Sequence, residues 1–190
     1  MGTIRAFIAA DIGEEIRTRL DELQRRLKKV HADVRWVKPK NIHLTLAFLG
    51  ALPIDKIQSL KAALDHALQA CGTFDLEACG VGFFGSPRHP RVIWAGVADS
   101  PPLMALQLKT MEALQFSGIE CDTKPFAPHL TLGRVKAPNH TESLLGKLEK
   151  YKEAGLGRTQ IASIELIKSQ PTPHGANYSV LHSIKLDPRS

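Results

Sequence analysis

An α+β fold with an internal duplication is what the sequence predicts: two lobes, two largely antiparallel sheets flanked by helices, and a cleft between the lobes. Three observations carry this. Apolar runs of strand length are interspersed with longer runs of helical periodicity. The chain aligns with itself at an offset of 86 residues without a gap, pairing Arg5 with Arg91, Ala9 with Ala95, Leu20 with Leu106, Lys38-Pro39 with Lys124-Pro125, and His43-Leu-Thr-Leu46 with His129-Leu-Thr-Leu132. That is nine identities over the 42 positions from Arg5 to Leu46. Finally, 43% hydrophobic and 23% charged residues, with 14 Gly and 12 Pro among 190, exclude a disordered, collagenous or coiled-coil chain. The length suits a single two-lobed domain over residues 1–190, with repeat units at about 4–50 and 90–136.

In chain order, Ile4 to Ala10 reads as a buried strand that ends at Asp11 and Gly13, where a helix starts. That helix is predicted from Glu14 to Val30. Ile16, Leu20, Leu23, Leu27 and Val30 form one apolar stripe, and arginines and lysines occupy the other faces. Strands follow over Val34 to Val37 and Ile42 to Leu49, with Pro39 bending the chain between them. Pro53 opens a helix from Ile54 to Ala70, which Gly72 ends. Strands over Phe74 to Ala78 and Arg91 to Val97 flank the segment Gly80 to Pro90, whose Gly and Pro density predicts a mobile surface loop able to close over a ligand. The remaining elements are a helix from Pro101 to Phe116, strands over Ile119 to Thr123 and His129 to Val135, a helix from Thr141 to Lys152, and strands over Gln160 to Lys168 and Tyr178 to Leu186. Pro53 and Pro138 restart a helix ten and nine residues after His43 and His129.

Lys plus Arg number 25 against 19 Asp plus Glu, a formal charge of +6, which favours a polyanion such as RNA as partner. Cys71, Cys79 and Cys121 contain no C-x-x-C pair, so neither a disulfide framework nor a thiolate zinc site is expected, and a cytoplasmic protein with reduced, half-buried thiols is. The apolar run near the N-terminus is broken by Arg5 and Asp11 and lacks a cleavage site. No run reaches 18 apolar residues, so neither a signal peptide nor a membrane association is expected. Ala6 stands where a myristoylation signal needs Ser or Thr.

The repeated tetrapeptide carries the chemistry. On a strand, His43 and Thr45 project from one face and Leu44 and Leu46 from the other, and His129 and Thr131 do the same in the second copy. Two such units facing each other present two imidazoles and two hydroxyls around one small volume. That suits in-line displacement at phosphorus: one neutral imidazole takes a proton from water while the other, protonated, gives one to the leaving oxygen. The rival reading, zinc held by the two imidazoles plus another residue, needs at least three protein ligands, and the sequence offers no H-E-x-x-H or clustered cysteines. No metal or other cofactor is expected.

These residues resemble the two-histidine (2H) phosphoesterases, in particular the RNA 2′,3′-cyclic phosphodiesterases once described as 2′-5′ RNA ligases. The resemblance rests on Arg5-Ala-Phe-Ile-Ala9, Trp36-Val37, His43-Leu-Thr-Leu-Ala-Phe-Leu-Gly50, Pro128-His-Leu-Thr-Leu-Gly-Arg134, and Ser169 to Tyr178 with Pro173, Gly175 and Tyr178. It implies metal-independent opening of a 2′,3′-cyclic phosphate, on an RNA end or a cyclic nucleotide, to a 2′-phosphomonoester by a cytoplasmic monomer. It also implies His43 as acid for the departing 3′-oxygen, His129 as base for water, and Thr45 and Thr131 as holders of the phosphate oxygens. Arg134 falls where relatives carry a basic residue that meets phosphate. Strict alternation from His129 turns it to the buried face, so it needs a bulge at Gly133 or a strand end there. Phe7, Trp36, Phe48 and Phe84 divide between core packing and base stacking. Arg35, Lys38 and Lys40 are candidates for steering RNA, and His31, His66, His89, His140, His174 and His182 are surface or packing residues. Alternatives are a 2′-5′ RNA ligase running mainly in reverse and a non-catalytic RNA-binding module.

Overall fold

The structure is a computed structural model and describes residues 2–121, 124–137, 139–173 and 175–188. Strand β1 (Thr3–Ala10) buries both faces, as its apolar run requires: Ala6, Ile8 and Ala10 enter the main core, and Phe7 and Ala9 bury with Ile167 on the opposite side. Helix α1 (Gly13–Lys28) lays Ile16, Leu20, Leu23 and Leu27 into that core, together with one polar residue, Gln24. Glu14 and Glu15 in its first turn and Arg25, Arg26 and Lys28 in its last suit the helix dipole. After β2 (Val34–Trp36) and a 3₁₀ turn at Pro39–Asn41 comes β3 (Leu44–Pro53), which begins at the residue after His43. A 3₁₀ turn at Ile54–Lys56 then leads into α2 (Ile57–Leu68).

Strand β4 (Phe74–Ser86) ends the first half, and the second half repeats the plan with β5 (His89–Val97), α3 (Pro101–Phe116) and β6 (His129–Val135). Ser100 caps α3 by accepting from the Leu103 amide, and a proline stands in the first turn. Helix α4 (Thr141–Glu149) and strands β7 (Gly155–Ile161), β8 (Ser163–Thr172) and β9 (Gly175–Lys185) complete the chain.

Among the described residues the strands form one sheet in the order β7-β4-β5-β6-β3-β1-β8-β9, with β2 beside β6, and every pairing between named strands is antiparallel. The two expected sheets are thus two halves of one curled sheet. They meet where β3 and β6 share a single register position, Leu44 opposite Leu130. Each half borrows from the other repeat: β4, from the first, pairs with β5, and β8, from the second, pairs with β1. Helix α1 packs on β7, α2 on α3 and β9, α3 on β3, and α4 on β4.

The ladders correct the gapless self-alignment. Leu44 and Leu130 are 86 residues apart, but their partners Ala10 and Ala95 are 85 apart. The repeat has therefore slipped by one residue between its first and last strands, and the Ala9/Ala95 match is not a structural equivalence.

The segment Gly80 to Pro90 is not a loop. β4 and β5 run through it as a hairpin whose turn is Pro87-Arg88. Its glycines make room rather than punctuate: a Cβ on Gly82 would stand 2.4 Å from the Trp94 indole. The single strand expected from Gln160 to Lys168 is the end of β7 and the start of β8, broken at Ala162. Residues Gly155 to Thr159 also belong to β7, where two glycines hide the strand pattern. Ile119 is buried and Cys121 half-buried, but Ile119 to Cys121 do not form a strand, and 122 and 123 lie outside the described residues. So do Pro138 and His174. The helix expected to Lys152 ends at Glu149.

Leu44 and Leu130 are both fully buried. Leu44→Ala and Leu130→Ala are each expected to lower unfolding free energy by about 2–5 kcal/mol in urea titrations. The double variant should depart from additivity because the two side chains face each other at the seam.

Candidate active site

The two histidines are held alike. His43 stands just before β3 and His129 opens β6, and each ring Nδ1 lies 2.8 Å from the backbone oxygen two residues earlier, of Asn41 and Ala127 respectively. A carbonyl only accepts, so Nδ1 carries the hydrogen and Nε2 is the nitrogen that exchanges a proton.

Their surroundings differ. The His43 ring stacks on Phe7 at 4.5 Å and meets the edge of Tyr178 at 5.4 Å. Burial under these rings pushes its pKa below the usual histidine value. The positive Arg17 and His129 push the same way, against the raising effect of the Asn41 carbonyl. His129 is met edge-on by Phe84 at 4.8 Å, and Phe84 in turn leans on Trp94.

Both motifs are tied to α1. Arg17 donates through Nη1 to the carbonyls of Pro39 (3.1 Å) and Ile42 (3.2 Å) while its other nitrogen pairs with Asp11, which fixes the turn that delivers His43. Asn41 in that turn donates to the Ala176 carbonyl at the start of β9. Two helical turns after Arg17, Gln24 donates its amide hydrogens to the carbonyls of Val37 and Leu132, each at 2.8 Å, and so holds the chain beyond Thr131.

At that point β6 is bulged. Trp94 pairs with Thr131 but the next residue, Ile93, pairs with Gly133, so Leu132 and Gly133 are both buried and Arg134 emerges exposed. The same bulge occurs in the first repeat, where Ala9 pairs with Thr45 and Ile8 with Ala47. Leu46 and Ala47 are buried there, and Phe48 emerges in the place that Arg134 holds in the second repeat.

A cleft of about 440 Å³ opens between these walls, lined among others by His43, Thr45, Thr131, Arg134, Phe48 and Tyr178. Of the five residues singled out from the sequence, four line it. His129 does not, although its charge is felt at His43. Arg35 on β2 lies directly across from Arg134, and both line the cleft together with Lys38 and Arg5. Like charges opposed on neighbouring strands are destabilising. Among the described residues no carboxylate pairs with any of these four cations, so the cleft is electrostatically suited to anions. Among the described residues no three His, Cys, Asp or Glu side chains are grouped to hold a metal ion.

Sequence reasoning missed Phe7 and Tyr178 as partners of the His43 ring, and Arg17 and Gln24 as ties from α1. Only Gln24 left a signal, as the single polar residue among the inward positions of α1.

The family profile described as LigT-like phosphoesterase matches residues 11–94. The RNA 2′,3′-cyclic phosphodiesterase of Methanothermobacter thermautotrophicus is 30% identical over 186 residues, covering 96% of this chain and 99% of its own. The RNA 2′,3′-cyclic phosphodiesterase of Thermotoga maritima is 33% identical over 186 residues, covering 97% and 96%. In three dimensions a crystal structure of a Thermus thermophilus protein superposes with a TM-score of 0.83 at 26% identity, covering 98% of this chain and all of that one.

Because folding lowers the His43 pKa, the folded protein binds fewer protons than the unfolded chain just below the ordinary histidine value of about 6.5. The resulting stability is whole above that value and is lost as pH falls through the lowered one. NMR titration is expected to give His43 a pKa below its ordinary value. Between pH 7.5 and 5, His43→Phe should lose less unfolding free energy on acidification than the wild type does.

Proposed function

The chain belongs to the LigT-like phosphoesterase family, and on that premise we propose how its cleft works. The protein is an RNA 2′,3′-cyclic phosphodiesterase, as its relatives of matching length are named. The observation that supports a two-histidine mechanism is the matched pair of His-x-Thr units, with both Nδ1 atoms committed to backbone carbonyls and both Nε2 atoms left for proton exchange.

In the proposed reaction the cyclic phosphate sits between the units, with its non-bridging oxygens accepting from the hydroxyls of Thr45 and Thr131 and from the Arg134 guanidinium. His129 takes a proton from water as the water oxygen bonds to phosphorus. The bond from phosphorus to the 3′-oxygen breaks, His43 gives that oxygen a proton, and a 2′-phosphomonoester remains. Each proton transfer contributes roughly 10²–10⁴-fold.

Burial disfavours the proton on His43 in the unliganded protein, so the role of acid depends on the substrate anion lifting its pKa back. Substrate binding and proton uptake are thereby coupled.

The partner is an RNA end carrying a 2′,3′-cyclic phosphate or a smaller cyclic nucleotide. Residues 1–190 act as one two-lobed unit, a monomer in the cytoplasm. None of Cys71, Cys79 and Cys121 is in a disulfide, which suits a reducing compartment. No helix among the described residues is long and apolar enough to cross a membrane.

Incubation with a short RNA ending in a 2′,3′-cyclic phosphate, with chelator present, should give a 2′-phosphomonoester by ³¹P NMR. Binding without turnover would instead indicate an RNA-binding module, and activity lost to EDTA and restored by zinc or manganese would make the histidines metal ligands. His43→Ala and His129→Ala should each lower kcat by about 10²-fold or more, the double variant being little worse. Thr45→Val and Thr131→Val should lose less, roughly the 1.5–3 kcal/mol of a hydrogen bond to a charged group. A nucleoside 2′-monophosphate should bind more tightly at pH 6 than at pH 8 by calorimetry. An unchanged affinity would refute the coupling of anion and proton.

A further inference from the structure

We propose that Phe84 is a positioning residue for the base of the reaction: propped on the indole of Trp94, its ring fixes the plane of the His129 imidazole and so the direction in which Nε2 points. The inference rests on the two-histidine reading above, in which His129 takes a proton from water, and names the side chains that orient that imidazole.

One hydrogen bond fixes a nitrogen of a ring but not the plane of the ring. His129 has such a bond, from Nδ1 to the Ala127 carbonyl. Its second constraint is Phe84, whose ring stands 4.8 Å away at 89°, the edge-to-face arrangement that aromatic pairs favour. Phe84 is held in turn by Trp94, 5.5 Å away and tilted by 39°. Trp94 lies directly across from Gly82, where a Cβ would meet the indole at 2.4 Å. Gly82 has no left-handed backbone to explain it, so the glycine is there for the indole. Gly82, Phe84 and Trp94 are all half-buried and none of them lines the cleft. They act on the reaction through His129 and not on the substrate.

The lobes reach this constraint with different residues. Side chains directly opposite on neighbouring strands share a face of the sheet. In the first lobe Thr45 is opposite Ala9, and Phe7, two residues earlier on β1, supplies the ring that stacks on His43. In the second lobe Thr131 is opposite Trp94, and Val92 stands in the place of Phe7, opposite Arg134 as Phe7 is opposite Phe48. Large and small side chains have exchanged places. Val92 has no ring to offer, and the aromatic contact comes from Phe84, opposite Val92 on the next strand out, where the first lobe has Ile167 opposite Phe7. In both lobes an aromatic ring bears on an imidazole whose Nδ1 a carbonyl holds. A contact kept while every residue that makes it has changed points to a requirement on the imidazole rather than on the packing.

The test reads single-turnover rate and substrate affinity on a short RNA ending in a 2′,3′-cyclic phosphate, in the wild-type and His129→Ala backgrounds. In the wild type, Phe84→Leu and Gly82→Ala, which drives the indole from its place, are each expected to slow the chemical step by about 10-fold and to leave affinity unchanged, since a small misdirection of a catalytic group costs a large factor in rate. Phe84→Tyr keeps the ring and should keep the rate. In the His129→Ala background Phe84→Leu should cost nothing further, because no imidazole is left to orient. An equal loss in both backgrounds would overturn the proposal, as the ring would then serve the fold. So would a full rate in Phe84→Leu, or a loss confined to affinity, which would set the ring against the substrate. Should Phe84→Leu not fold, Gly82→Ala carries the same comparison without touching the ring. A full rate in His129→Ala itself would remove the two-histidine reading, which is a distinguishable result.

Discussion

One cross-strand contact, Leu44 against Leu130, sets the distance between the two halves of the chemistry. The strands that carry the histidines meet only there, so the sheet alone leaves their relative orientation loosely determined. What removes that freedom is α1. Arg17 grips the carbonyls before His43 and Gln24 grips the carbonyl after Thr131, from one rigid helix and two turns apart. Each hydrogen bond is worth only about 0.5–1.5 kcal/mol net. Their importance is geometric, because a helix is stiffer than the seam and a misplacement of about 1 Å at a catalytic group is enough to cost a large factor in rate.

The fold was legible where local pattern and burial agree. The stripe of α1, the proline-led start of α3 and the strand of β6 appear within a residue or two of where periodicity places them. It was illegible where glycine has two meanings. Gly82 and Gly85 read as loop punctuation, yet Gly82 is small because Trp94 lies against it and Gly85 relaxes an irregular stretch of hairpin. The same ambiguity hid β7, where Gly155 and Gly157 dilute the pattern. Sequence adjacency also conceals that β4 and β8 cross to the opposite repeat, since strand exchange depends on contacts between residues far apart in the chain.

The candidate site was legible to the extent that it is duplicated. A single His-x-Thr carries little information, but two copies after equivalent Lys-Pro bends define an axis and a cleft. Arg134 was within reach through the family resemblance and against strict alternation, a conflict that a bulge resolves, and the bulge in turn explains Phe48, a residue that no periodicity marks. Arg17 and Gln24 stayed hidden for a different reason. They act on backbone carbonyls, and a carbonyl has no letter in the sequence.

In the proposed reaction the near-symmetric frame serves two unlike roles, because acid and base must differ while their motifs are identical. The difference has to come from outside the repeat, and it does. His43 is covered by Phe7 from β1 and Tyr178 from β9, whereas among the described residues His129 meets the edge of one aromatic ring, Phe84 from β4. Burial disfavours the proton on His43, and the positive His129 disfavours it further. The unliganded site therefore disfavours the doubly protonated pair. In the proposed reaction a phosphodiester anion entering between them relieves both costs at once, by compensating the buried charge and by screening one imidazolium from its neighbour. On that proposal the substrate completes the electrostatics of the site, and the duplication need supply only the geometry.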